Sequence, residues 1–200
     1  MVNEVNIDKI MPKVITALDK LLSKTDFDSL TVKGISEEIG FSRQYFYRAF
    51  SDKYALVTEL FEYDLRTGAE RFFTLRAFYT NTLELVFEKR KIYKSIFSSS
   101  YSSYFYNIIY NYCYELIKTI AELSLRSFTV DQDNKLRLYL LGVCTMLERA
   151  TVGSEHFTKA ELNRIFFDNV PAFLEPLKDE TVTKDYIMYK IKKYREKHIF

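Results

Sequence analysis

The chain of 200 residues has no tryptophan, two cysteines, two histidines, three prolines and five glycines. So few residues that break helices or form tight turns argue against a turn-rich sheet protein and for long helices. Cys113 and Cys144 sit inside apolar stretches, with no Cys-x-x-Cys or Cys/His spacing. That pattern predicts buried free thiols in a reducing cytoplasm rather than a disulfide framework or a zinc site. No run of 18 apolar residues occurs, which excludes a membrane-spanning helix. The charges scattered from Met1 to Lys13 are unlike a secretory leader. The two histidines, His156 and His198, are separated in sequence and have no nucleophile beside them. With no glycine-rich phosphate loop and no metal-ligand cluster either, the sequence predicts no enzyme, no cofactor and no metal. Net charge is only +2. Any contact with nucleic acid must therefore come from a local patch, not from a field over the whole surface.

What is present describes a globular protein with a sizeable core: 48% hydrophobic and 28% charged residues, with 16 tyrosines and 17 phenylalanines. The most informative stretch is Thr31 to Lys53, TVKGISEEIGFSRQYFYRAFSDK. Val32, Ile35 and Ile39 recur at helical spacing, and Gly40 follows where a left-handed residue ends a helix. Phe41 plugs the turn, and Ser42 is placed to cap the next helix. In that second helix Phe46 and Phe50 face inward. Arg43, Gln44, Tyr45, Tyr47 and Arg48 are left to project outward. Such a pair is a helix-turn-helix. Arg can bond two atoms of a guanine edge in the major groove, and Gln two atoms of adenine. Thr31, Ser42, Tyr47 and Lys53 suit phosphate oxygens. From Phe41 to Lys53, Arg43, Arg48 and Lys53 stand against Asp52 alone, so the patch has the right sign.

The segment resembles the DNA-binding domain of TetR-family transcriptional regulators. The resemblance rests on Thr31-Val32, Ile35, Gly40-Phe41-Ser42, Tyr47, Phe50, Lys53 and Leu56, with Phe27 upstream, and covers about the first 60 residues. Asp26, Ser36 and Gln44 depart from the family's usual Gly, Ala and Gly. The resemblance implies an all-α protein: a helix-turn-helix domain over residues 1–55, joined by a long helix to a ligand-binding and dimerisation bundle over 56–200. It implies a homodimer on a palindromic operator, a repressor released by a small-molecule effector, and a cytoplasmic location with no membrane. A protein of the same fold that acts by gripping another regulator is the alternative, and intact Tyr47, Phe50 and Lys53 weigh against it.

Before the motif, residues 5–24 carry an apolar stripe on a first helix. After Lys53 a longer helix carries Leu56, Val57, Leu60, Phe61 and Leu65, ending or kinking near Gly68. Further helices are expected over 69–89, 90–97, 101–127, 134–151, 158–174 and 181–197, the last with a basic face. Tyr104 to Tyr114 is β-prone by residue type, but its length favours helix. There Tyr106, Tyr110 and Cys113 share a face and are candidate ligand contacts, apolar walls with hydroxyls to orient a small molecule. Packing of those rings in the core is the competing reading. In the segment 136–152, Leu136, Leu140, Val143 and Leu147 form a stripe. The resemblance implies that this helix and the next build the dimer interface. The competing reading is a core helix of a monomer.

Overall fold

The computed structural model describes residues 5–68, 72–123, 127–178, 182–183 and 189. The N-terminal part is α1 (Ile7–Leu21), α2 (Val32–Ile39) and α3 (Arg43–Ala49). Asn6 caps α1, Thr31 caps α2 and Ser42 caps α3, each through its side-chain oxygen. Gly40 ends α2 at φ 81°, a left-handed conformation that a Cβ would strain. The Phe41 amide then reaches back to the Ser36 carbonyl at 2.8 Å, closing the turn. Val14, Leu18, Phe27, Ile35, Phe46 and Phe50 form the small core beneath these helices.

The long helix α4 (Lys53–Gly68) starts on Asp52, whose carboxylate accepts the Tyr54 and Ala55 amides at 2.8 and 2.7 Å. It runs through the expected boundary at 55/56, so both parts of the chain share it. At its far end a Cβ on Gly68 would lie 2.5 Å from Leu85, so glycine permits α4 to close on α5.

The body contains α5 (Leu75–Glu88), α6 (Arg90–Phe97), α7 (Ser102–Leu123), α8 (Val130–Val152) and α9 (Lys159–Asp168). A 3-10 turn follows over Ala172–Leu177. The helices α7 and α6 pack on α8, and α9 packs on α5. An all-α fold is what the sequence predicts. A two-residue antiparallel pair, β1 (Phe72–Phe73) with β2 (Val182–Thr183), is the small addition.

Three expected boundaries move. The helix expected over 69–89 is shorter, because β1 precedes it and Thr74 caps α5 by accepting the Ala77 amide. The loop expected at 129–133 is instead a capping box, with Thr129 and Gln132 each bonding the other's backbone amide, so α8 begins at Val130. The helix expected over 158–174 stops at Asp168, since Pro171 and Pro176 favour the 3-10 turn that follows. Most of the expected helix over 181–197 lies outside the described residues.

Candidate DNA-reading site

Short helices and caps fix the site. Because Phe46 and Phe50 are 0% and 2% exposed, α3 and its C-terminal cap have one inward face, which leaves Arg43, Gln44, Tyr47 and Arg48 on the outer one. Arg43, Gln44 and Arg48 are exposed, and Tyr47 is 56% exposed. Arg43 and Gln44 make no hydrogen bond or ion pair among the described residues. Their donors are therefore free for an external acceptor. Thr31 and Ser42 accept the Gly34 and Tyr45 amides at 3.1 Å each, and keep their hydroxyl protons at the outer ends of α2 and α3.

Two residues depart from the expectation. Tyr45 is half-buried: its ring packs edge-on against Phe41, centroids 4.6 Å apart, with the Arg48 guanidinium 5.2 Å from its centroid. It shapes the turn as much as the outer face. Lys53, expected to hold a phosphate, points inward. Its ammonium donates to the carbonyls of Phe27, Asp28 and Leu30 at 3.0, 2.8 and 3.0 Å. It also lies 5.0 Å from the Phe27 centroid and 5.4 Å from that of Tyr54. Three carbonyls take its three protons, so Lys53 ties the loop between α1 and α2 to the start of α4.

Residues 14–60 match the model of the family described as bacterial regulatory proteins, tetR family. Residues 14–60 thus carry the tetR-family N-terminal domain. No curated protein matches the sequence. The structure described as dihydroxyacetone kinase operon activator DhaS is similar, with a TM-score of 0.61 at 16% identity, covering 84% of this chain and 96% of that one. A tetR-family transcriptional regulator from Streptomyces coelicolor is similar at TM-score 0.54 and 14% identity, covering 94% and 92%. At such identities the likeness is one of fold. No helix among the described residues is long and apolar enough to cross a membrane.

The helix-turn-helix head is held to the body by contacts that sequence reasoning missed. Asp28, in the loop before α2, accepts the Ser100 amide at 2.9 Å and the Ser100 hydroxyl at 2.8 Å. Those bonds hold its carboxyl below the usual value. Phe27, Tyr54, Tyr101 and Tyr104 form a chain of ring contacts across the same junction, with Tyr54 and Tyr101 centroids 4.5 Å apart. Burial pushes the Tyr101 phenol up to about 12. Further along α4, two carboxylates are buried. Asp64, 1% exposed, accepts from Lys89 at 2.8 Å and Tyr93 at 2.6 Å. Burial raises its carboxyl above the usual value, and the bonds from Lys89 and Tyr93 pull it back. Glu62, 7% exposed, accepts from the Tyr112 phenol of α7. A signal for Asp64 was present: it falls four residues after Leu60, on the stripe that points inward.

The other expected sites are placed differently from the expectation. Leu136, Leu140, Val143 and Leu147 are 0%, 0%, 6% and 4% exposed within a single protomer. They are buried within the protomer, on a helix that packs on α6 and α7. The exposed apolar side of α8 is carried by Leu138 and Leu141, 73% and 47% exposed. Tyr106 is half-buried, its hydroxyl 3.1 Å from the Leu141 carbonyl and 3.0 Å from the Thr145 hydroxyl. Tyr110 stacks on Tyr114 with rings 11° apart, and Cys113 is buried. These side chains seal α7 onto α8. Two sizeable grooves lie elsewhere. One of about 1000 Å³ runs between α8 and α9 past Leu138, Gly142, Met146 and Phe166. Another of about 460 Å³ lies beside Tyr114, Lys118 and Arg137.

Proposed function

We propose that this chain is a tetR-family repressor that binds a palindromic operator as a homodimer and leaves it when its body takes up a small ligand. The observation that carries the reading is the unpaired outer face of α3. Arg43 and Gln44 stand exposed on a helix whose other face is locked in a core, so they can read bases without first breaking bonds. One such head offers few contacts, and two heads related by a two-fold axis suit an operator with the same symmetry. The exposed Leu138 and Leu141, with Gly142 beside them, supply a face of α8 suited to a second copy.

Release requires the body to alter the position of the heads. The Asp28–Ser100 tie, the ring contacts at Tyr54 and Tyr101, and the buried carboxylates of α4 give a displaced α6 or α7 something to pull on. A ligand preferring the displaced arrangement by about 1–3 kcal/mol would suffice.

Selection of bound sequences from random duplex DNA tests the reading. Enrichment of two inverted half-sites, with centres about 34–36 Å apart or a multiple of that, supports it. No enrichment, or a single unrepeated motif, overturns it. Transcription from the enriched sequence gives the sign: lower output with protein alone supports a repressor, and higher output contradicts it.

A further inference from the structure

We infer that Tyr45 is a positioning residue, whose ring holds the Arg48 guanidinium to read a guanine in each half-site of the operator. The inference deepens the DNA-reading function proposed above and rests on it.

A line of contacts runs from the turn between α2 and α3 to the outer face of α3. Gly40 at φ 81° and the Phe41 amide bonded to the Ser36 carbonyl fix the turn. The Phe41 ring meets the Tyr45 ring edge-on, with 64° between their planes. Both rings are partly buried against the core. Ser42 accepts the Tyr45 amide at 3.1 Å, so Tyr45 is held by its main chain as well as by its ring. Three residues on, the Arg48 guanidinium lies over that ring, 5.2 Å from the centroid. Arg48 is exposed and makes no hydrogen bond or ion pair among the described residues.

An arginine that waves freely in solvent must give up much rotamer freedom to present its planar fork. One that already rests on a fixed aromatic face gives up less, and the face leaves the N–H donors at the edge of the guanidinium open. The target follows from the helix. Gln44 and Arg48 are four residues apart and so lie on the same side of α3. One helical turn advances about 5.4 Å along the axis, which falls between one and two base steps of about 3.4 Å each. With Gln44 on an adenine edge, Arg48 comes opposite a base pair one or two steps away. There the O6 and N7 of a guanine match its fork. Phe41, Tyr45 and Arg48 thus link the rigid turn to a base position that Arg43 and Gln44 do not cover.

Selection from random duplex DNA is run with wild type, Arg48→Met, Arg48→Lys, Tyr45→Leu and Tyr45→Phe, and each protein is also melted without DNA. The wild-type motif should carry a guanine in each half-site. Both Arg48 variants should lose the preference for it by about tenfold or more, because lysine keeps the charge and not the fork. Tyr45→Leu should weaken the preference at that same guanine by about two- to fivefold and spare the other positions. Tyr45→Phe should restore it, since the ring and not the hydroxyl aligns the fork. Should Tyr45→Leu not fold, Tyr45→Met puts the same question to another unbranched, ringless side chain. An unaltered motif in the Arg48 variants, with weaker binding to every sequence alike, would assign Arg48 to a phosphate and overturn the inference. Full guanine preference without the Tyr45 ring would overturn it too, as would a loss spread evenly over all positions with a lower melting temperature. A wild type that enriches no sequence defeats the proposed function itself. A wild type that enriches inverted half-sites, which Arg48→Met enriches equally, defeats only this inference.

Discussion

The outer face of α3 and the inner face of α4 both carry charged residues within a few turns of the same core, and they treat those residues in opposite ways. On α3, Arg43 and Gln44 face solvent, their side-chain donors unspent among the described residues. On α4, Glu62 and Asp64 are buried and each is held by residues of the body: Tyr112 for the first, Lys89 and Tyr93 for the second. Burying a carboxylate costs several kcal/mol unless its oxygens are bonded, so α4 is placed by its polar groups as well as by Leu56, Leu60 and Phe61. Free polar groups serve an outside partner, whereas satisfied buried ones fix the frame. Residue type alone does not separate the two roles. The neighbours do.

The sharpest contrast between an inward and an outward face can be broken on α8. Val143→Arg would force a cation into the core between α8 and its neighbours, and the fold should lose about 3–5 kcal/mol. Heat or urea denaturation of the variant would read that loss. Leu138→Arg, on the exposed side, should leave unfolding within about 0.5 kcal/mol of wild type and should abolish any dimer seen by sedimentation. Similar stability for both variants would mean that the inward assignment of the Val143 stripe is wrong.

Lys53 sharpens the same comparison within the head. Replacing it with Met removes a charged donor from three carbonyls and should destabilise the protein by about 2–3 kcal/mol. The measurement is unfolding with no DNA present. A phosphate contact alone would leave unfolding unchanged and lower only affinity for DNA.

The smallest expected effect lies at the junction between head and body. Bonds from Ser100 hold the Asp28 carboxyl below the usual 3.8, so the folded protein binds that proton less readily than the unfolded chain. The tie therefore contributes above pH 3.8 and is lost as pH falls through the depressed value. Asp28→Ala should remove this contribution at neutral pH and make the acid limb of the stability curve shallower. A pH series of thermal melts on both proteins checks it, and an unaltered acid limb would show that the tie does not contribute.

Much of the head was legible in the sequence because its signals are local. Ser42 caps the helix that it precedes, Gly40 takes the left-handed angle, and Phe46 and Phe50 turn inward at the spacing of one helical turn. Roles that depend on distant parts of the chain were not legible. Lys53 reads as a surface cation until Phe27, Asp28 and Leu30 come round to meet it. The stripe at Leu136, Leu140, Val143 and Leu147 reads equally as core or as interface. Periodicity reports that a face is buried and not what buries it. Tyr106 and Tyr110 look like pocket walls on a helical wheel, and only the position of α8 makes them a seal. Asp64 could have been found, since a carboxylate on an apolar stripe demands a partner.

The central claim is that the exposed start of α3 reads DNA while the rest of the head holds it still. The most direct test compares Arg43→Ala and Gln44→Ala with wild type on the selected operator and on scrambled DNA, with unfolding measured in parallel. Each substitution should cost about 1–3 kcal/mol of operator binding and relax the preference at one position in each half-site, while unfolding stays unchanged. Wild-type affinity and preference in both variants would contradict the claim, and so would a loss of binding matched by a loss of stability.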